Sequence, residues 1–167
     1  GGNTEAVIDL PEPGRYFLEV RDGNDDARSI TRFTLSTTFT PSTEVGEPNN
    51  TFESAVPGPL DTTIPGTILP AGDRDWYLLE LAGAGELHVL ATNVAPELAI
   101  AFRLWDDAQN VVTNWFTPLS KGGNTEATIP IATPGSYVVE VVDNSGAARS
   151  IQPYLLRFGM APIDPAT

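Results

Sequence analysis

GGNTEAVIDLPEPGRYFLEVRDGNDDARSI at 1–30 and GGNTEATIPIATPGSYVVEVVDNSGAARSI at 122–151 are one stretch written twice. They align without a gap at a constant offset of 121 residues. Chance does not give such a match, so the chain carries two copies of one structural unit. Within the stretch, apolar residues fall at every second position: Ala6, Ile8 and Leu10 in the first copy, Ala127, Ile129 and Ile131 in the second. That is the period of a half-buried β-strand. Pro-Gly at 13–14 and 134–135 supplies a turn, and a second alternating run follows, with Tyr16, Leu18 and Val20 answered by Tyr137, Val139 and Val141. Strand, turn and strand read as a β-hairpin.

The same period extends outward. In the first copy a third strand is expected over 29–39, with Phe33 and Leu35 inward. TPSTEVGEPNN at 40–50 has turn residues and no core pattern, which marks a boundary. Beyond it, residues 51–56 suit a helical turn or a loop, and 62–69 suit a short strand broken by Pro65 and Gly66, at an edge or a bulge. Tyr77, Leu79 and Leu81 share a face, as do Leu87, Val89 and Ala91, then Leu98, Ile100, Phe102 and Leu104. A strand over 111–116 follows the turn at 106–110, and the last strand carries Tyr154, Leu156 and Phe158. About eight short antiparallel strands at regular spacing predict an all-β fold, an antiparallel β-sandwich of jelly-roll-like form. The expected organisation is a tandem repeat. Residues 1–39 are the C-terminal half of one sandwich, 40–46 a linker, 47–160 a complete unit, and 161–167 a linker or tail. A chain that opens inside a repeat, on Gly1, is expected to be a processed product or an excerpt of a longer one.

Composition narrows the function. The 167 residues carry a net charge of −13, with a pI near 4.2, which argues against a basic patch for nucleic acid or anionic lipid. A hydrophobic content of 41% argues against disorder. With no cysteine there is neither a disulfide framework nor a thiolate metal site. No apolar run approaches the roughly 20 residues that span a membrane, so membrane insertion is not expected. The single histidine, His88, alternates away from Leu87 and Val89, so a Ser-His-Asp constellation and a zinc site both lack their parts. No catalytic residues are assigned, and the chain is read as not an enzyme. Trp76, Trp105 and Trp115 fit either a covered outer layer or an exposed patch for sugar or peptide, the covered layer being preferred. The acidic loop Asp22, Asp25 and Asp26 keeps only Asp143 in the second copy, which reads as a solvated loop. Asn49-Asn50-Thr51 has the form of an N-glycosylation sequon.

EPNN at 47–50, GDRDWYLLEL at 72–81, PGSYVVEVV at 134–142 and the terminal strand with Tyr154-Leu155-Leu156 stand in one order. In that order they resemble the bacterial pre-peptidase C-terminal domain family. These are β-sandwich modules of secreted proteins, and the collagen-binding domains of clostridial collagenases are similar. The resemblance spans 47–160, and 1–39 resembles the family's C-terminal half. It implies a calcium site at Glu47, Asn49, Asn50, Asp73 and Asp75, and calcium, which takes about six to eight hard oxygen ligands, suits carboxylates and Asn carbonyls on loops. The chain departs from the pattern at Val45, where the relatives have an acid; Glu44 is one step off. The competing account of the same residues is structural: Asn49 and Asn50 cap a turn, while Asp73 and Asp75 bond backbone amides at a strand entry. Glycan at the sequon would compete with calcium.

The expected function is a non-catalytic extracellular or cell-surface module of a secreted prokaryotic protein. Its role is surface, adhesive or filament-forming, and its partners are neighbouring repeats or copies of the same protein, by strand complementation between subunits. The alternatives are an accessory substrate-binding or secretion domain of a secreted peptidase, and a carbohydrate-binding module. An extracellular-matrix, peptide or glycan ligand belongs to these alternatives.

Overall fold

The computed structural model describes residues 4–8, 10, 15–22, 24, 32–39 and 47–162. The expected linker at 40–46, the turn at 11–14, Asp25 and Asp26, and the tail from 163 lie outside them. The chain divides into two compact units, Gly1–Ser42 and Thr43–Thr167.

The second unit is a two-sheet β-sandwich. After a 3₁₀ turn at Phe52–Ser54 come β1 (Val56–Pro57), β2 (Thr63–Ile68), β3 (Arg74–Leu81) and β4 (Gly85–Thr92). Then follow β5 (Ile100–Asp106), β6 (Thr125–Ile131), β7 (Gly135–Asp143) and β8 (Ser150–Ala161). One sheet runs β1-β3-β7-β5 and the other β2-β8-β4-β6. The repeated hairpin is therefore no hairpin in its pairing. β6 lies on β4 in one sheet, while β7 lies between β3 and β5 in the other. The Pro-Gly turn carries the chain from sheet to sheet.

Alternation fills the space between the sheets as expected. Tyr77, Leu79 and Leu81 from β3 meet Leu87, Val89 and Ala91 from β4, and Val139 and Val141 from β7 meet Tyr154, Leu156 and Phe158 from β8, all buried. Burying each such side chain contributes on the order of 1.5–3 kcal/mol.

The expected antiparallel β-sandwich is present, with local departures. The sheets are mostly, not wholly, antiparallel: β1 pairs parallel with β3, Val56 opposite Tyr77. The chain leaves the 3₁₀ turn already running along β3, and Gly58 N–H donates to Leu78 O at 2.8 Å to hold it there. Residues 111–116 do not form a full strand, and only the isolated bridges Trp105–Val111 and Phe102–Phe116 form. The Thr113 hydroxyl accepts the Leu104 N–H at 3.0 Å, where a strand would offer a carbonyl, and this interrupts the ladder.

The outer face of the β1-β3-β7-β5 sheet is covered. Trp76 is 7% exposed, with Phe52 edge-on at 5.8 Å and Trp105 at 5.6 Å between ring centres. The 3₁₀ turn lies over Trp76 because Thr51 and Ser54 cap it reciprocally. Gln109 donates to Glu53 at 3.2 Å, tying the β5–β6 connection to that turn.

In the first unit, the described residues 4–8, 10, 15–22, 24 and 32–39 enter no β-ladder. Strands were expected there. Among the described residues no helix is long and apolar enough to cross a membrane.

Candidate functional site: an oxygen cluster at the entry to β3

β3 alternates, so Asp75 shares the inward face of Tyr77 and Leu79, at the end of the core. Asp73 stands two residues earlier, in the turn from β2. Residues 47–50 run up to this point, where Asn49 O accepts the Trp76 N–H at 3.0 Å. That bond brings Glu47 beside the two aspartates. One carboxylate oxygen from each of Glu47, Asp73 and Asp75 lies within 4.8 Å of the others.

Each acid is held separately. Asp73 accepts the Leu69 N–H at 3.0 Å on one oxygen and the Arg74 N–H at 2.8 Å on the other. Asp75 accepts the Tyr154 hydroxyl at 2.5 Å. Tyr154 has only one proton to give, so the Tyr77 hydroxyl at 3.0 Å donates to it, and the relay runs Tyr77 to Tyr154 to Asp75. Glu47 accepts the Asn49 N–H at 3.0 Å and the Asn50 side-chain N–H at 3.1 Å.

The sequence-chosen residues thus take three positions. Glu47, Asp73 and Asp75 come together, Asn49 is buried at their side, and Asn50 is exposed and braces Glu47. The strand-entry amides of the structural account are present at Asp73. They leave Asn49 unexplained: its side-chain oxygen is buried with no hydrogen-bond partner. An orphaned buried carbonyl is costly, on the order of 1–3 kcal/mol, unless something meets it. Burial of Asn49 also withdraws the sequon's acceptor amide from solvent.

The electrostatics point the same way. Asp75 is pushed up to about 7, mainly by burial and also by the charges of Asp73 and Glu47, against the Tyr154 and Asn49 hydrogen bonds. Burial pushes Asp73 up too, against its two backbone bonds. Burial likewise raises both tyrosines, with the charge on Asp75 adding to it. A cation among these oxygens would relieve each penalty at once. Three carboxylates and one amide carbonyl form a hard-oxygen set, which fits calcium better than a transition metal.

Gly66 makes the relay fit. It lies opposite Tyr154 across β2 and β8, and a Cβ there would stand 2.5 Å from the Tyr154 hydroxyl and 2.6 Å from that of Tyr77. Sequence reading placed Tyr77 and Tyr154 in the core but did not connect them to Asp75. The signal was available, since Asp75 precedes Tyr77 by two on an inward face.

A second polar centre was missed. Glu140, which alternation turns away from Val139 and Val141, is fully buried. It accepts from Arg74 Nη1, from Arg103 Nε at 2.7 Å and from Trp105 Nε1 at 3.0 Å. Arg103 lies between two indoles, 4.3 Å from the Trp105 ring centre and 4.4 Å from that of Trp115. Trp115 remains 37% exposed. A shallow hollow of about 320 Å³ opens beside it, lined by Asp73, Arg74 and the turn after β7. Asp143, the last residue of β7, is buried rather than solvated. Burial works against its charge, but the Ser145 hydroxyl and the N–H groups of Ala99 and Ala148 outweigh it and hold the carboxyl below its usual range. His88 meets Thr128 at 2.9 Å on the outer face of the other sheet.

No family model and no curated protein matches the chain. Among solved structures, it is similar to the pre-peptidase C-terminal domain of collagenase from Bacillus anthracis, with 22% identity over 59% of this chain and 89% of that one, at a TM-score of 0.47. It is also similar to the secreted serine protease VesC from Vibrio cholerae, with 17% identity over 62% of this chain and 25% of that one, at a TM-score of 0.42. A third similarity is to chitosan-binding module 1 of a chitosanase/glucanase from Paenibacillus sp. IK-5, with 16% identity over 71% and 90% of the two chains, at a TM-score of 0.32.

Proposed function

We propose that the chain is a non-catalytic, calcium-binding β-sandwich module of a secreted prokaryotic protein, working extracellularly or at the cell surface. In this reading it is one link in a tandem array with surface, adhesive or filament-forming use, and its partners are neighbouring repeats or copies of itself. The observation that carries the reading is the cluster of Glu47, Asp73 and Asp75, with Asn49 hydrogen-bonded to Asp75 and its own side-chain oxygen buried without a partner. Residues 47–50 stand at the entry to the sandwich, and an ion there ties them to β3. Calcium then sets whether the entry segment is fixed or loose, which is what a linked array needs.

Thermal unfolding tests it. Anything that binds only the folded state stabilises it by about 2.7 kcal/mol at a hundredfold excess over Kd. Calcium is expected to raise the melting temperature and chelator to return it. A melting temperature unmoved by either contradicts the proposal.

A second reading has one observation of its own. Trp115 is partly exposed beside the hollow at Asp73 and Arg74. This favours a peptide or glycan ligand there, as in an accessory domain of a secreted hydrolase or a carbohydrate-binding module. Binding on a glycan or matrix-peptide array that is lost in Trp115→Ala would support it.

A further inference from the structure

In the complete sandwich β6, β7 and β8 never pair with one another. β6 pairs with β4, β7 with β3 and β5, and β8 with β2 and β4. Every ladder these three enter is completed by a strand from the first half of the unit. Residues 4–39 are the sequence equivalents of this trio, and the described ones among them enter no ladder. Their apolar side chains bear this out. Ile8, Leu18 and Leu35 stand where Ile129, Val139 and Leu156 are buried, yet they are 64%, 55% and 55% exposed.

The equivalence extends to polar positions. Glu19 stands where Glu140 accepts from Arg74, Arg103 and Trp105. Phe33 stands where Tyr154 donates to Asp75, and has no hydroxyl to give. Thr37 stands where the Phe158 ring packs against Tyr77 and closely over Gly58.

We infer that residues 4–8, 15–22 and 32–39 form a docking surface for a strand set of the β1–β5 type that offers cationic donors to Glu19 and an uncharged residue opposite Phe33. The first requirement follows because a carboxylate buried in that place without its donors carries a large desolvation cost. The second follows because a carboxylate in the place of Asp75 would face Phe33 without the hydroxyl that holds it here. The inference rests on the tandem reading above and adds the chemistry of the partner.

The full chain extended by a copy of residues 47–121, joined directly before Gly1, supplies such a strand set in register, because Gly1 is the equivalent of Gly122. Hydrogen exchange at 15–22 and 32–39 is measured in the chain with and without the extension. At least a hundredfold slowing is expected on extension. In the extended chain, Glu19→Gln is expected to lower the added sandwich's melting transition or abolish that slowing. Asp75→Leu in the added copy is expected to raise the transition. Should the extended chain show no slowing, Thr37→Phe restores the missing core ring and the measurement is repeated. No slowing in either chain overturns both the tandem reading and the inference. Slowing and a melting transition that Glu19→Gln both leaves unchanged, or a transition that Asp75→Leu lowers, overturn the inference and leave the tandem reading standing.

Discussion

The Tyr154 hydroxyl donates to Asp75 at 2.5 Å, and through that one bond the core of the sandwich reaches its acid cluster. Tyr154 is fully buried on β8, and Asp75 is 2% exposed at the start of β3. The two strands belong to different sheets. Whatever shifts the packing between the sheets therefore also shifts an oxygen of the candidate cation site.

Gly66→Ala tests that link. The added methyl meets both tyrosine hydroxyls at about van der Waals overlap, and overpacking of this kind costs about 1–3 kcal/mol. A fall in melting temperature with weaker calcium stabilisation is expected. A fall in stability with calcium affinity untouched separates the relay from the site.

The acid cluster gives the metal-free protein a pH dependence of definite sign. The Asp75 carboxyl is raised from 3.8 to about 7 in the folded state. The folded state therefore holds a proton that the unfolded chain has released, and stability falls as pH rises between those values. In chelator, the urea midpoint is expected to drop from pH 5 to pH 8. Calcium, which binds the ionised carboxylates, is expected to flatten or reverse the drop.

Glu140 anchors the covering of the outer face. Its removal leaves two guanidinium groups without their counter-charge. Breaking a fully buried pair costs about 3–5 kcal/mol. Here Arg74 is 53% and Arg103 22% exposed, so solvent takes up part of that loss and Glu140→Gln is expected to cost about 2 kcal/mol. Arg74→Ala is expected to cost under about 1 kcal/mol. Denaturant unfolding of the two variants gives the ranking.

The two tryptophans of the covered outer face, Trp76 and Trp105, are expected to differ. Trp105 Nε1 donates to Glu140, whereas Trp76 Nε1 is buried with no partner. Replacement by Phe removes a satisfied donor in one case and an orphaned one in the other. Trp105→Phe is therefore expected to lose more stability than Trp76→Phe, by about 1 kcal/mol. Equal losses in thermal melts contradict the assignment.

The sandwich was legible because its core obeys a strict period of two: Leu79, Leu87, Val139 and Leu156 all point where alternation puts them. Pairing was not legible, since adjacent strands of the repeated stretch go to different sheets and alternation carries no information about neighbours. Glu140 escaped because alternation sends it outward, and only the covering by Arg103, Trp105 and the β5–β6 connection buries it. The strand expected at 111–116 failed on a side chain, the Thr113 hydroxyl, taking a backbone role. Of the proposed ligands, Glu47, Asp73 and Asp75 were brought to notice by resemblance alone. The orphaned Asn49 oxygen and the Tyr154 bond are three-dimensional facts with no local signature.

Equilibrium dialysis of chelator-stripped protein against radioactive calcium, for the wild type and Asp75→Asn, is the most direct measurement. One ion bound per chain in the wild type, with affinity lost at least tenfold in Asp75→Asn, is the expected result. No bound calcium at millimolar concentration, or equal binding by the two proteins, contradicts the account.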